Sequence, residues 1–193
     1  MISPITAPEQ ELQDAAWDAW ERGDYRTAFA NFSAHLPTDD TYILDALGWM
    51  LDRGKGCSKD LDQAALFYRR SADLGSRYGL LALGDVLRQS DKIDEARAIY
   101  EEGAYHGFTP SMSRLGSMLT KDGRNLDERE RGIMLLKEAS FKGHIFAQRA
   151  LLSIDMRSAT SLFGKAAILF KIVNLIIRGT AAFARDPHSE KLM

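Results

Sequence analysis

Histidine and cysteine are the residues that most often bind metals or act as nucleophiles. This chain of 193 residues has four histidines and one cysteine. They are His35, His106, His144 and His188, together with Cys57. No histidine lies three or four residues from another or from Cys57, so the helical spacing of a zinc site is missing. His106 and His144 adjoin turn glycines, where a helix C-terminus favours a basic group. We therefore expect these two to cap helices rather than to catalyse.

Cys57 follows a glycine-rich segment, Gly54-Lys55-Gly56, whose composition is similar to that of a phosphate-binding loop. The spacing and the trailing Lys-Ser/Thr of a P-loop are missing, so we interpret the segment as a structural turn. Lys55 and Lys59 would lower the pKa of a nearby thiol, whereas burial would make the thiol inert. We expect Cys57 to be a packed anchor of this loop. One cysteine excludes an intramolecular disulfide.

Carboxylates are frequent but form no recognisable catalytic set. The adjacent or near pairs are Asp39-Asp40, Glu101-Glu102, and Glu128 with Glu130. Two acids act as acid and base only in a cleft that perturbs them. We expect Asp39-Asp40 to cap a helix and Glu101-Glu102 to lie on an exposed helix face. Neither a nucleophile elbow nor a dinucleotide fingerprint occurs, so the sequence predicts no enzyme activity, no cofactor and no metal.

Composition and charge fit a globular protein with one extended core. Hydrophobic residues make up 45%, charged residues 27%, and the net charge is −2, which gives no indication of nucleic-acid binding. Charge is uneven, with a net of −5 over residues 1–153 and +3 over residues 154–193. Residues 1–13 lack the pattern of a signal peptide, so we expect a cytoplasmic protein. A bacterial origin is a guess from the size of the chain.

Repeats dominate the organisation of the chain. A Leu-Gly pair occurs at Leu47-Gly48, Leu83-Gly84 and Leu115-Gly116, at spacings of 36 and 32 residues. A second glycine recurs at Gly75, Gly107 and Gly143, each nine residues before position 84, 116 or 152. Such periods are typical of stacked helical hairpins. The second glycines are expected to end helices in the left-handed conformation.

Apolar and small residues between these glycines follow helical spacing. Ala64, Phe67, Tyr68 and Ala72 lie at i, i+3, i+4 and i+8, and the same offsets recur from Ala96, Gly132 and, loosely, Ala159. We predict an all-α fold of about five hairpins, with degenerate copies at both ends. The predicted helices cover residues 9–22, 25–35, 40–52, 60–74, 77–89, 92–106, 109–121, 127–142, 144–154 and 157–184. Pro37 should mark an irregular joint, with Thr38 or Asp39 as the next cap.

The first clear repeat resembles the Sel-one-like repeat, a relative of the tetratricopeptide repeat. The matching residues are Leu47-Gly48, Gly54-Lys55-Gly56, Asp60, Ala64, Phe67-Tyr68, Ala72 and Gly75. The resemblance covers residues 43–152 well and the flanks loosely. It implies a right-handed α/α superhelix that assembles protein complexes, with the first helix of each hairpin on the concave surface. The expected domains are a solenoid over residues 1–158 and a degenerate repeat over residues 159–193 that continues into an amphipathic helix.

Interface anchors are usually Trp, Tyr and Arg, and on the first helices we select Trp49, Tyr78, Arg88 and Arg114 as candidate partner-binding residues. Packing between helices is the alternative role for the two aromatic residues. The main functional hypothesis is a non-catalytic adaptor that binds a protein or peptide in the groove. A regulatory or positioning subunit of an enzyme complex is the alternative.

Residues 162–184 are far more apolar than the rest of the chain and contain three charges. Lys171, Asn174 and Arg178 form a narrow polar stripe on a wide apolar face. Candidate contact residues are Phe163, Phe170, Lys171, Ile172, Ile176, Arg178 and Phe183. Three roles are open for this helix. It caps the solenoid; it binds a membrane surface, a partner or a second copy; or it spans a bilayer. The last is disfavoured because Lys171 and Arg178 would each cost about 2.5–3.5 kcal/mol in the membrane.

Overall fold

Helical hairpins account for the architecture of residues 7–185, the part of the chain that the computed structural model describes. Those residues form ten helices and no strand. The helices are α1 (Ala7–Glu21), α2 (Tyr25–Ala34), α3 (Thr41–Arg53), α4 (Leu61–Asp73), α5 (Arg77–Gln89), α6 (Ile93–Tyr105), α7 (Thr109–Asp122), α8 (Leu126–Phe141), α9 (Ile145–Ser158) and α10 (Leu162–Arg185). This confirms the all-α prediction.

Polar side chains start several of these helices, as the sequence chemistry requires. The carboxylate of Asp60 accepts a hydrogen bond from the backbone N–H of Gln63 at 2.9 Å, and Asn125 caps α8 in the same way. At the joint before α3 the cap is Asp40, whose Oδ1 accepts from the N–H of Tyr42 at 2.8 Å. Asp40 belongs to the Asp39-Asp40 pair that was expected to cap a helix, so that prediction is confirmed. Thr38 and Asp39, the other candidate caps, lie one or two residues too early. Asp40 has the extended backbone that a cap requires.

Glycines end the second helices as predicted. Gly75, Gly107 and Gly143 have φ angles of +95°, +74° and +89°. Glycine adopts this left-handed conformation without the strain that a Cβ atom would cause. After α4, the N–H of Ser76 donates to the carbonyl of Ser71 across the turn, which closes the helix in the Schellman pattern.

Close packing explains the other recurring glycines. A Cβ atom on Gly48 would lie 2.7 Å from a ring carbon of Tyr68, which is buried on α4. In α7, a Cβ atom on Gly116 would lie 2.8 Å from the carbonyl oxygen of Gly132 in α8. The two helices of a hairpin approach this closely only where side chains are small, as the repeat pattern indicated.

His144 caps a helix at the end opposite to the one predicted. It is fully buried and precedes α9, where its Nδ1 accepts a hydrogen bond from the N–H of Ala147 at 3.2 Å. An accepting ring nitrogen carries no proton, so the predicted dipole effect of a cationic histidine does not apply. Only Lys142, Gly143 and His144 separate the end of α8 at Phe141 from the start of α9 at Ile145.

Two compact units make up the described chain, residues 7–99 and residues 100–185. In the first, Phe32, Ile43, Leu47 and Met50 form a buried core with α1 packed against it. In the second, Met112, Leu136, Ala139 and Ala147 are the buried centre between α7, α8 and α9. None of the helices in residues 7–185 combines the length and the apolarity that crossing a bilayer needs.

The C-terminal part differs from the prediction in where one helix stops. α9 continues to Ser158 and α10 starts at Leu162, whereas the sequence pattern placed the break near residue 155. Ala159 ends α9 and does not share a helix face with Leu162. Ser161 explains the start of α10, because its Oγ accepts a hydrogen bond from the N–H of Gly164 at 3.0 Å.

Candidate functional site

The first helices α3 and α5 contact each other and carry three of the four candidate anchors. Along α3, Tyr42, Asp45, Trp49 and Asp52 follow one another at helical spacing and so share one face. Tyr42 is 74% exposed, the most exposed aromatic side chain of this helix. Tyr42 was not among the residues predicted from the sequence, although its spacing of three and seven residues from Asp45 and Trp49 was a usable signal.

Trp49 lies half-buried at the edge of an aromatic cluster. Its ring centroid is 4.8 Å from that of Trp20 and 5.8 Å from that of Tyr25. Trp17 packs against Phe32 beneath them, with centroids 4.7 Å apart. Trp49 therefore packs between helices, which was the alternative to a partner-binding role. Only part of its side chain remains accessible.

Asp45 connects α3 to the start of α5. Its Oδ2 accepts a hydrogen bond from the Ser76 hydroxyl at 2.7 Å. The Ser76 Oγ in turn accepts a hydrogen bond from the backbone N–H of Gly79 at 2.9 Å. Burial raises the pKa of Asp45, while hydrogen bonds from Ser71 and Ser76 act in the opposite direction. The nearby negative charge of Asp40 also raises the pKa of Asp45. The hydrogen bond to Ser76 makes this carboxylate a contact that joins two helices.

Tyr78 stands on α5 beside this contact, with its side chain 38% exposed. Its ring centroid is 6.2 Å from that of buried Tyr68, in an edge-to-face arrangement. Burial raises the pKa of both phenols, and the carboxylates Asp45 and Asp52 also raise them. Both tyrosines are therefore neutral hydrogen-bonding groups. Tyr78 offers the flat, rigid aromatic surface that protein interfaces favour.

The arginines are divided between the two units. Arg88 is exposed in the last turn of α5. Arg114 is half-buried in α7, in the second unit. Together, the described residues of the first unit place Tyr42, Trp49, Tyr78 and Arg88 on adjacent helices.

The loop around Cys57 is a packing element. Gly54 ends α3 in the left-handed conformation, and Gly56 lies directly against the backbone of Tyr25. Lys55 places its ammonium group 5.5 Å from the centroid of the Tyr25 ring. Cys57 packs against the aromatic cluster, and burial raises the pKa of its thiol. The two lysines therefore do not activate this cysteine.

Cys57 is expected to react slowly with a thiol reagent such as DTNB at neutral pH, because a raised pKa leaves little thiolate. The rate should increase several-fold when the chain is unfolded in guanidinium. Since Cys57 is the only cysteine, the absorbance change measures this residue directly. A native protein that reacts faster than the unfolded one would indicate an activated thiol and contradict this assignment.

Several other acidic residues take part in ion pairs. Glu101 pairs with Arg131 at 3.0 Å, and Asp39 pairs with Arg70 at the rim of an open cleft of about 770 Å³. The cleft is lined mainly by apolar side chains, among them Leu36, Leu66 and Phe67. Across the described chain, no group of three or more His, Cys, Asp or Glu side chains is placed to hold a metal ion.

Helix α10 leaves most of its described apolar side chains exposed. Phe170 and Ile176 are 67% and 53% exposed, Ile172 is half-buried, and Lys171 and Arg178 are exposed. The side chains of Phe163 and Phe183, which were also candidates, lie outside the described set. Packing against the rest of the protein therefore covers only one side of this helix.

Three solved structures have similar folds and are distant in sequence. A Sel1 repeat protein from Oxalobacter formigenes superposes with a TM-score of 0.66 at 16% identity, covering 84% of this chain and 69% of that one. The protective antigen c5321 of uropathogenic Escherichia coli, described as displaying an SLR fold, gives 0.66 at 20% identity, with 92% and 42% covered. A MamA RS-1 ArsTM double mutant gives 0.63 at 18% identity, with 91% and 98% covered.

No family model matches the sequence, and no curated protein matches it. At 16–20% identity, these structural similarities establish the fold and leave the activity open. The chain accordingly has the fold of the Sel1-like repeat proteins, an all-helical solenoid.

Proposed function

We propose that this chain is a non-catalytic scaffold that binds a peptide or protein segment across the exposed face of α3 and α5. The observation that carries the proposal is the exposure of Tyr42 and Tyr78 on neighbouring first helices. Helical repeat folds present such extended surfaces to proteins. Aromatic side chains of this kind supply much of the binding energy in protein interfaces, because they bury large area at small entropy cost.

Further support comes from how firmly this face is held. Asp45 and Ser76 join α3 to α5, and Tyr78 packs on Tyr68. The side chains around the proposed contact are therefore ordered before a partner arrives, which reduces the cost of binding. Arg88 adds a cationic group that can pair with an acidic residue of the bound segment.

The test uses a random-peptide phage library selected on the immobilised full-length chain. Selected peptides are expected to lose about tenfold or more in affinity on Tyr42→Ala and Tyr78→Ala, as interface anchors do. Tyr105→Ala is the matched control, because Tyr105 is 88% exposed on α6, a second helix of its hairpin. Tryptophan fluorescence verifies that each variant remains folded.

Peptides that bind both α3/α5 variants as tightly as the unchanged chain would contradict the proposed surface. So would peptides that lose affinity only on Tyr105→Ala. If the folded chain enriches no peptide at all, the scaffold proposal itself fails for linear segments. Arg88→Glu adds a charge test: it should weaken acidic peptides and leave neutral ones unaffected.

A further inference from the structure

Helix α10 is held to the protein along one side. In the second unit it packs on α9, and Leu175 is its buried anchor at 7% exposure. Ile168 and Ile172 precede Leu175 by seven and three residues, lie on the same face, and are half-buried. This side of the helix therefore has a partner within the fold.

The opposite side consists of large apolar residues without cover in the described structure. Leu169, Val173, Ile176 and Ile177 follow the spacing i, i+4, i+7 and i+8, with Phe170 beside them. Their exposed fractions range from 47% to 67%. At 3.6 residues per turn the five side chains span an arc of about 120°, as wide as the buried stripe of an ordinary surface helix. We call these five residues the outer face of α10.

Positive charge surrounds this outer face. Lys165 is exposed beside it. Lys171 and Arg178 are exposed on the polar side of the helix, where they line a cleft with Gln148 of α9. Residues 156–185 contain five Lys or Arg and no Asp or Glu. A helix that is apolar on one face and basic on the other, in a segment free of acids, has the charge pattern of a helix that lies in an anionic lipid surface.

Charge decides between this occupant and a second copy of the chain. Two outer faces packed together would bring two positively charged segments together, since residues 156–185 of each copy contain five Lys or Arg and no carboxylate. A lipid surface instead takes the apolar side chains below the headgroups, and its phosphates attract the cations of this segment. We infer that the outer face of α10 binds an anionic phospholipid membrane in the plane of its surface.

This inference is independent of the proposed peptide surface, since the two share no residue. The full-length chain is sedimented with phosphatidylcholine vesicles and with vesicles that contain phosphatidylglycerol as well. Binding is expected to be about tenfold or more tighter on the anionic vesicles and to weaken as salt is added. Lys171→Gln with Arg178→Gln should remove most of that preference.

Substitution on the apolar side gives the decisive comparison. Phe170→Glu with Ile177→Glu should reduce vesicle binding about tenfold or more, because charged groups oppose insertion. Phe141→Glu is the matched control: Phe141 is 93% exposed on α8 and lies outside the outer face. It should bind as the unchanged chain does. Circular dichroism verifies that all variants keep their helices.

Two results would overturn the inference. One is equal binding to both vesicle types, or binding that Phe170→Glu with Ile177→Glu does not change. The other is an absence of vesicle binding combined with a dimer in analytical ultracentrifugation that the same double variant dissociates. That second result would assign the outer face to a second copy of the chain.

Discussion

A Gly56→Ala variant is expected to lose about 3–5 kcal/mol of unfolding free energy, from backbone strain and a steric clash together. Gly56 has a φ angle of +75°, a conformation that a residue with a Cβ atom adopts only with strain. An added Cβ would also overlap the carbonyl group of Tyr25 and lie 2.7 Å from the amide nitrogen of Arg26. Both neighbours are backbone, so neither can rotate away.

Gly23→Ala separates the two contributions. Gly23 has the same φ angle of +75°, but a Cβ atom there would meet no atom within 4 Å. This variant should therefore lose only the strain, about 1–2 kcal/mol. Equal losses in the two variants would mean that the Cys57 loop does not press against α2, and the packing role assigned to Gly54-Lys55-Gly56 would be wrong.

Urea denaturation followed by tryptophan fluorescence is the appropriate measurement. The three tryptophans, Trp17, Trp20 and Trp49, all lie in the unit that contains both glycines. The signal therefore reports the unfolding of this unit even if residues 100–185 unfold separately, a condition under which a single global value would have no clear meaning.

The helices were predictable because their determinants are local. The predicted range of α5, residues 77–89, agrees with the structure at both ends. Ser76 caps the helix, and its apolar residues recur at helical spacing. The break between α9 and α10 was misplaced because no glycine or proline marks it. Ser161 was a local signal for the start of α10, but hydroxyl caps are common enough in sequences that it did not stand out.

The candidate surface was harder to predict because exposure is a tertiary property. Trp49 and Tyr78 were both selected as aromatic residues on first helices, yet only contacts between helices decide how much of each is covered. Trp20 and Tyr25, distant in sequence, cover one side of Trp49. Similarly, the spacing of His144 to Gly143 indicated a capping role, but not which of two adjoining helices it would cap.

Substitution of Tyr68 is the second change expected to lower the free energy of unfolding strongly. Its ring is both part of the repeat pattern and part of the packing between α3 and α4. It is 1% exposed and fills the space that Gly48 leaves between α3 and α4. Tyr68→Ala is expected to cost about 3–5 kcal/mol, the range for deleting a buried aromatic ring. Tyr105→Ala removes the same atoms from a residue that is 88% exposed and should change stability by about 0.5 kcal/mol or less.

Tyr68→Phe extends the test to pH. Burial raises the pKa of Tyr68 in the folded chain, so above about pH 10 the unfolded chain releases a proton that the folded chain retains. Stability is therefore complete below pH 10 and falls above it, by about 1.4 kcal/mol per pH unit for this group. Phenylalanine has no proton to release, so urea titrations above pH 10 should show a shallower decline for Tyr68→Phe. Equal declines would mean that the Tyr68 hydroxyl reaches solvent, and that Gly48 does not enclose the ring as tightly as the helix spacing requires.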